Sequence, residues 1–380
     1  MITFTERNRI RIGSIFDVPI TLHLSWIVVF GLITWTLATG YFPPREPGLP
    51  VVSYWVKALI ASLLFFLSIL LHEAAHAVVA RRSGIPIQSI TLFIFGGVAR
   101  MGKDPEKGTT EAKVAVAGPV VSLALSLAFH LTSSLPALAP SIREVARYLA
   151  LINVVLALFN LVPAFPLDGG RILRGLLWGP LGKTRATRIA ARSGTLFAFL
   201  LIFNGVFALL AGAPIAGMWH LMIGWFLREA AGEAYQQAHL DEVLRGMTTR
   251  DVMVEDVLTI PAAISVQEAI KTYILRSGYG GYPVLRDDAV VGLLCLRDVL
   301  RLPPEELEHT SVQSVMLPLS DAIAVSPDVP LRDALAKMAQ GGKGRLLVVE
   351  GGRLAGLFTT DSVLRHVRVR ERLGERAGVG

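Results

Sequence analysis

His72-Glu73-Ala74-Ala75-His76 interrupts an otherwise apolar stretch: residues 58–71 (ALIASLLFFLSILL) carry no charge before it, and residues 77–80 (AVVA) add another apolar turn after it. The run is long enough to cross a bilayer, where ionisable groups are costly enough to require a function and a partner. Helical positions i and i+4 share a face about one turn apart, so His72 and His76 present two nitrogens to one metal ion. Glu73 stands beside them, placed to act as a base on the water at such a centre.

Composition sets the class around that motif. Of 380 residues, 52% are hydrophobic and 18% charged, the balance of a membrane protein. From Asp241 onward charges become frequent and apolar runs shorten to strand length, so a soluble region follows the membrane one. The net charge is +7, but its Lys and Arg cluster in loops flanking the apolar runs. Membrane lipid accounts for them there, and no basic run is interleaved with aromatics, so nucleic acid is not an expected partner. Cys295 is the only cysteine, which excludes an intrachain disulfide and a thiolate metal cluster. The first apolar run reads as a span rather than a cleaved signal, because it extends from near Leu22 to about Gly40.

Six spans are expected, over residues 22–41, 53–80, 114–135, 146–165, 195–213 and 215–227. Basic residues set their orientation. Fourteen lie on one side (Arg7, Arg9, Arg11; Arg81, Arg82, Arg100, Lys103, Lys107; Arg171, Arg174, Lys183, Arg185, Arg188, Arg192) and three on the other (Arg45, Arg143, Arg147), which places both termini in the cytoplasm. His72 and His76 then lie in the inner half of the second span. The fourth span runs the same way and ends in Asn160-Leu161-Val162-Pro163-Ala164-Phe165-Pro166-Leu167-Asp168-Gly169-Gly170. Asp168 therefore arrives at the depth of the histidines, in backbone broken by two prolines and two glycines. Such backbone is tolerated at membrane depth where it is buried in protein or lines a wet cavity. Alone, Asp168 also reads as the turn residue of an Asp-Gly pair; beside two histidines it completes a two-His, one-carboxylate set with an open fourth position, the requirement of a hydrolytic zinc site.

These two motifs, in this order on separate spans, resemble the site-2 protease family of intramembrane zinc metalloproteases. Phe95-Gly96-Gly97-Val98-Ala99 is similar to the family's strand segment after the first motif, and Ala117-Gly118-Pro119 to the start of its next span. The resemblance covers residues 12–228. It implies one Zn2+ per chain on His72, His76 and Asp168, with Glu73 as general base. Asn160 matches the family's polar residue near bound substrate; a helix-packing hydrogen bond is its other reading.

Residues 87–100 read as strands, with β-branched residues near Gly96-Gly97. A protease needs its substrate extended, and a sheet edge offers partners for an added strand, which makes Gly96 and Gly97 candidate substrate-binding residues. A surface hairpin without substrate contact is the competing reading.

The soluble region holds an internal repeat. Val252-Met253, Val257-Leu258-Thr259-Ile260, Val266-Gln267-Glu268-Ala269, Tyr282-Pro283-Val284 and Val291-Gly292-Leu293-Leu294 recur about 64 residues later as Val315-Met316, Ala322-Ile323-Ala324-Val325, Leu331-Arg332-Asp333-Ala334, Leu347-Val348-Val349 and Ala355-Gly356-Leu357-Phe358. Each copy reads strand, helix, two strands, helix, and the pair resembles tandem CBS modules. In that pattern a Thr and an Asp hold a nucleotide's phosphate and ribose. The first copy keeps Asp298 but has Cys295 for the Thr; the second keeps Thr359 but has Ser362 for the Asp, with Asp361 one position earlier. ATP, ADP or AMP at Asp298 and Thr359, and a purely structural or dimerising pair, are both open.

The expectation is an α-helical polytopic membrane domain of six transmembrane helices with a small β-segment, joined to a soluble α/β tandem CBS domain. Its parts are residues 1–228, a linker helix 229–243, CBS modules at 244–302 and 311–369, and a tail 370–380. The expected activity is hydrolysis of a peptide bond in or near a transmembrane segment of a single-span or multi-span membrane protein. The expected place is the cell membrane with the CBS pair cytoplasmic, with homodimerisation through that pair. A CBS-regulated metal transporter or channel is the alternative; it would string ionisable residues through several spans, whereas here they gather at one depth.

Overall fold

The computed structural model describes residues 9–15, 18–342 and 344–376. Arg7, counted above, and the last residues of the 370–380 tail lie outside them. The chain divides into two compact units, Met1–Ala238 and His239–Gly380.

The first unit opens with two strands, β1 (Arg9–Ile15) and β2 (Val18–His23), before helix α1 (Ser25–Thr36) and a π-helical turn, Leu37–Tyr41. The expected span over residues 22–41 thus starts too early. Leu22 and His23 belong to β2, whose Val18 is buried against Ala77 and Ile90 and whose buried Ile20 pairs with Ile90. An apolar run does not by itself separate a buried strand from a helix. Helix α2 (Val51–Arg82) follows, then β3 (Ile87–Phe93) and β4 (Gly96–Met101). The four strands form one sheet in the order β1-β2-β3-β4, antiparallel except between β2 and β3. β4 is therefore an edge strand among the described residues.

The further described helices of this unit are α3 (Gly108–Ser133), α4 (Pro140–Leu161), α5 (Asp168–Leu181), α6 (Lys183–Leu210) and the part of α7 (Pro214–Val243) up to Ala238. α5 fills a stretch read from sequence as a basic loop, and α6 begins twelve residues before the expected 195. Among the described residues four helices, α2, α3, α4 and α6, are long and apolar enough to cross a membrane; Ser25–Tyr41 is a shorter apolar helix.

Their packing is that of helices in lipid. On α2 the buried positions include Ala58, Ala61, Ser62, Ala77 and Ala80, while Leu59, Leu63, Leu67 and Leu71 form an exposed stripe at i+4 spacing. Small residues face the bundle because they let backbones approach, and large apolar ones face outward because hydrocarbon is the solvent there. Polar contacts tie the interfaces: Thr34 donates to Ser62 (3.0 Å), and the Asn153 amide donates to Ser68 (3.2 Å).

The second unit contains a four-stranded sheet of β5 (Ile260–Pro261), β6 (Gly281–Arg286), β7 (Ala289–Cys295) and β8 (Leu317–Pro318). A three-stranded sheet of β9 (Ala324–Val325), β10 (Arg345–Glu350) and β11 (Arg353–Thr359) repeats the pattern. The leading segments of the two copies pack across the pair. Leu244, Met247 and Val252 sit in the core of the second copy with Leu331, Val348 and Phe358, and Val254 pairs with Leu357. In return, Val312 is buried in the core of the first copy, and β8 pairs with β7. Each copy lends its leading segment to the other, because that segment's apolar face finds its partner only across the pair. A third cluster, with Leu293, Cys295, Leu347 and Leu357, joins the two sheets.

Candidate metal centre

α2 carries His72 and His76 on its buried face, and both are 3% exposed. Asp168 is the first residue of α5 and is 7% exposed. The loop after α4 folds back tightly to deliver it: a Cβ at Gly169 would lie 2.2 Å from the Leu161 carbonyl oxygen, so only glycine fits directly after the aspartate. One oxygen, Asp168 Oδ2, stands 3.1 Å from His72 Nε2 and 3.2 Å from His76 Nε2.

The outer ring nitrogens are also held. His76 Nδ1 lies 2.7 Å from the Val114 carbonyl oxygen, and His72 Nδ1 lies 2.9 Å from Ser122 Oγ. A carbonyl only accepts, so His76 donates from Nδ1; in the neutral imidazole this leaves Nε2 as the acceptor nitrogen, turned toward Asp168. Lone pairs of nitrogen and carboxylate then face each other in a buried pocket, an arrangement that a cation satisfies. Donors on bonds of about 2.0–2.2 Å at tetrahedral angles would be roughly 3.3 Å apart, close to the separations seen here. His72, His76 and Asp168 are the group of His, Cys, Asp or Glu side chains that meets this geometry among the described residues. The residues fit a zinc ion.

Val114, Gly118 and Ser122 form one stripe of α3 at i+4 spacing. A Cβ at Gly118 would lie 2.3 Å from His76 Nε2 and 2.5 Å from His72 Nε2. The glycine lets α3 press against the centre while the residues a turn to either side grip the outer nitrogens. Ala117-Gly118-Pro119 drew notice in the sequence; Val114 and Ser122 did not, although their spacing from Gly118 was the available signal. Gly118→Ala is expected to displace the imidazoles and cut cleavage by about 100-fold, the cost of a misplacement near 1 Å. Wild-type turnover in that variant would mean the close approach has no bearing on the centre.

Glu73 projects to the neighbouring face and lies against β4. A Cβ at Gly97 would fall 2.4 Å from Glu73 Cγ. Gly97 thus brings the edge strand into contact with the carboxylate. Gly96 has φ +128°, a conformation L side chains rarely adopt, and opens that strand after the turn. Asn160 lies in the last turn of α4, and its side-chain amide donates to the Leu156 carbonyl (3.0 Å). That bond is local to its helix.

In the second unit Asp298 is in the short helix Leu296–Val299 and Thr359 ends β11. Thr359 and Ser362 bond reciprocally, each backbone N–H to the other's hydroxyl. Arg345, which the sequence reading passed over, pairs with Thr359 across β10 and β11, and its guanidinium lies against Gly281 of the first copy.

A helical membrane-type unit enclosing two imidazoles and a carboxylate, with a glutamate alongside, defines the class: a metallohydrolase of the membrane. Comparison with known proteins agrees. Residues 60–139 and 134–201 match the model of Peptidase family M50, and residues 250–305 and 312–369 match that of the CBS domain. The chain is 37% identical to the protein named zinc metalloprotease Rip3 of Mycobacterium tuberculosis, over 96% of this chain and 94% of that one. It is 28% identical to zinc metalloprotease MJ0392 of Methanocaldococcus jannaschii, over 95% and 97%. The solved Site-2 Protease from Methanocaldococcus jannaschii aligns with 60% of this chain and 95% of its own, at 30% identity and a TM-score of 0.44. The chain belongs to Peptidase family M50, the site-2 protease zinc metalloproteases, and carries tandem CBS domains.

Proposed function

We propose that this protein hydrolyses a peptide bond in or near a transmembrane segment of a single-span or multi-span membrane-protein substrate. His72, His76 and Asp168 would hold one zinc ion, and Glu73 would be the general base. The observation that carries the reading is the convergence of Asp168 Oδ2 on both Nε2 atoms beside Glu73. The chemistry that zinc supplies when bound to such a set is polarisation of the scissile carbonyl and a water pKa near neutrality. Glu73 takes a proton from the attacking water at a carboxylate oxygen and passes it to the amide nitrogen as the C–N bond breaks. Val114 and Ser122 keep both imidazoles oriented throughout.

The substrate must be extended, since a helix hides its carbonyls in its own hydrogen bonds. β4 pairs only with β3 among the described residues, which leaves one edge for an added strand next to Glu73. Gly96 and Gly97 would then border the substrate backbone, with Asn160 as a further polar contact. Six spans are part of this reading, counting the shorter α1 and the apolar first part of α7. Both termini and the CBS pair would face the cytoplasm, a reading that the Lys and Arg distribution supports. Membrane lipid and a homodimer through the CBS pair are the other partners. The transporter alternative is not favoured, because relatives matched over most of the chain are named zinc metalloproteases. The test is purified full-length protein with a single-span substrate, with and without chelator. Cleavage that stops on chelation and returns with zinc is expected; chelator-resistant cleavage would refute the metal mechanism.

Regulation by adenine nucleotide through the CBS pair belongs to the same proposal. Asp298 would accept the ribose hydroxyls, with Thr359 and the neighbouring Arg345 facing phosphate. We expect at most one weak site per chain for ATP, ADP or AMP. A charge-assisted contact of this kind contributes about 1.5–3 kcal/mol, so Asp298→Ala should weaken binding roughly ten- to hundred-fold. Nucleotide regulates cleavage only if its affinity differs between active and inactive states. Calorimetry on the full chain checks this, and no heat with any of the three would leave the pair as an assembly module.

A further inference from the structure

Glu111 is fully buried in the first turn of α3, and the catalytic scheme makes no use of it. Its carboxylate takes both nitrogens of an Arg174 fork: Nε stands 2.9 Å from Oε1 and 3.1 Å from Oε2, and Nη2 also donates to Oε1. Arg171 Nε is 3.9 Å away. The Arg174 guanidinium also lies 4.8 Å from the centre of the Phe165 ring. Phe165 is in the loop before Asp168, and Arg174 is in the helix after it, so one side chain braces both flanks of that aspartate. The backbones touch here as well. A Cβ at Gly108 would lie 2.2 Å from the Gly175 carbonyl oxygen, and one at Gly175 would lie 2.5 Å from that of Gly108.

A buried ion pair is a poor source of net stability, because desolvation of both charges offsets their attraction. What a bidentate fork supplies is geometry. α3 is the helix whose Val114 and Ser122 hold the imidazoles, three and eleven residues beyond Glu111. We infer that the Glu111–Arg174 pair is a positioning device that locks α5, and with it Asp168, in register with the imidazole-holding face of α3. This rests on the proposed metal set His72, His76 and Asp168.

The test uses the full chain in detergent or bilayer and compares Glu111→Gln, Arg174→Lys and, as control, Asp168→Ala. Zinc affinity, the zinc-induced rise in Tm, kcat and KM are measured for each. Supporting residues around a metal typically change affinity or activity by about 10–100-fold. Glu111→Gln is expected to lose zinc affinity on that scale, to show a smaller zinc-induced rise in Tm, and to lose kcat with KM near wild type. Arg174→Lys should fall between, since a lysine restores the charge without the fork. The Tm shift is read even in a destabilised variant. A lower metal-free Tm with wild-type zinc affinity and a wild-type zinc-induced shift would make the pair merely structural and overturn the inference. If Asp168→Ala also binds zinc normally, the metal assignment itself fails; if only Asp168→Ala loses zinc, the positioning role alone fails.

Discussion

Glu73→Gln should abolish measurable peptide cleavage while the protein keeps its metal. The amide cannot accept the water's proton, and general acid–base catalysis contributes about 10²–10⁴-fold to such reactions. The three proposed ligands are untouched, and the amide is nearly isosteric, so the contact with Gly97 should survive. Cleavage rate and zinc content are measured on one preparation. Near-normal turnover in a zinc-loaded Glu73→Gln protein would remove Glu73 from the role of base.

Asp168→Ala should act differently, by emptying the centre. Two neutral imidazoles would remain, without the one anionic donor that faces both Nε2 atoms. The expected loss of zinc affinity exceeds the ~10–100-fold typical of supporting residues, and activity falls with it. Asp168→Asn should retain part of the metal, because an amide oxygen still coordinates without charge. Metal content after dialysis against a buffered zinc series separates the three proteins. Equal zinc content in wild type and Asp168→Ala would assign the third donor elsewhere.

The centre was legible in sequence because its parts obey local rules. His72 and His76 meet through the helical repeat, and Asp168 announces itself through the Pro and Gly residues that end α4 and the glycine that must follow it. The grip on the outer nitrogens was less visible, since Val114 acts through its backbone carbonyl, which any residue supplies. The Glu111–Arg174 pair spans 63 residues and follows from the α3–α5 crossing rather than from any spacing. β1 and β2 escaped notice for a physical reason: Val18–His23 is half-buried β-structure leading directly into an apolar helix, and hydrophobicity alone runs the two together. The CBS repeat was plain from its period. The exchange of leading segments was not, because a repeat period gives each segment's place along the chain and not which core it joins.

The most direct test of the account is anomalous diffraction at the zinc edge from crystals of protein whose cleavage has been measured. The account predicts one peak per membrane unit, about 2.0–2.2 Å from His72 Nε2, His76 Nε2 and an Asp168 carboxylate oxygen, with Glu73 not bonded to the ion. A peak held by the two histidines with Asp168 turned away, or active crystals with no peak there, would contradict it.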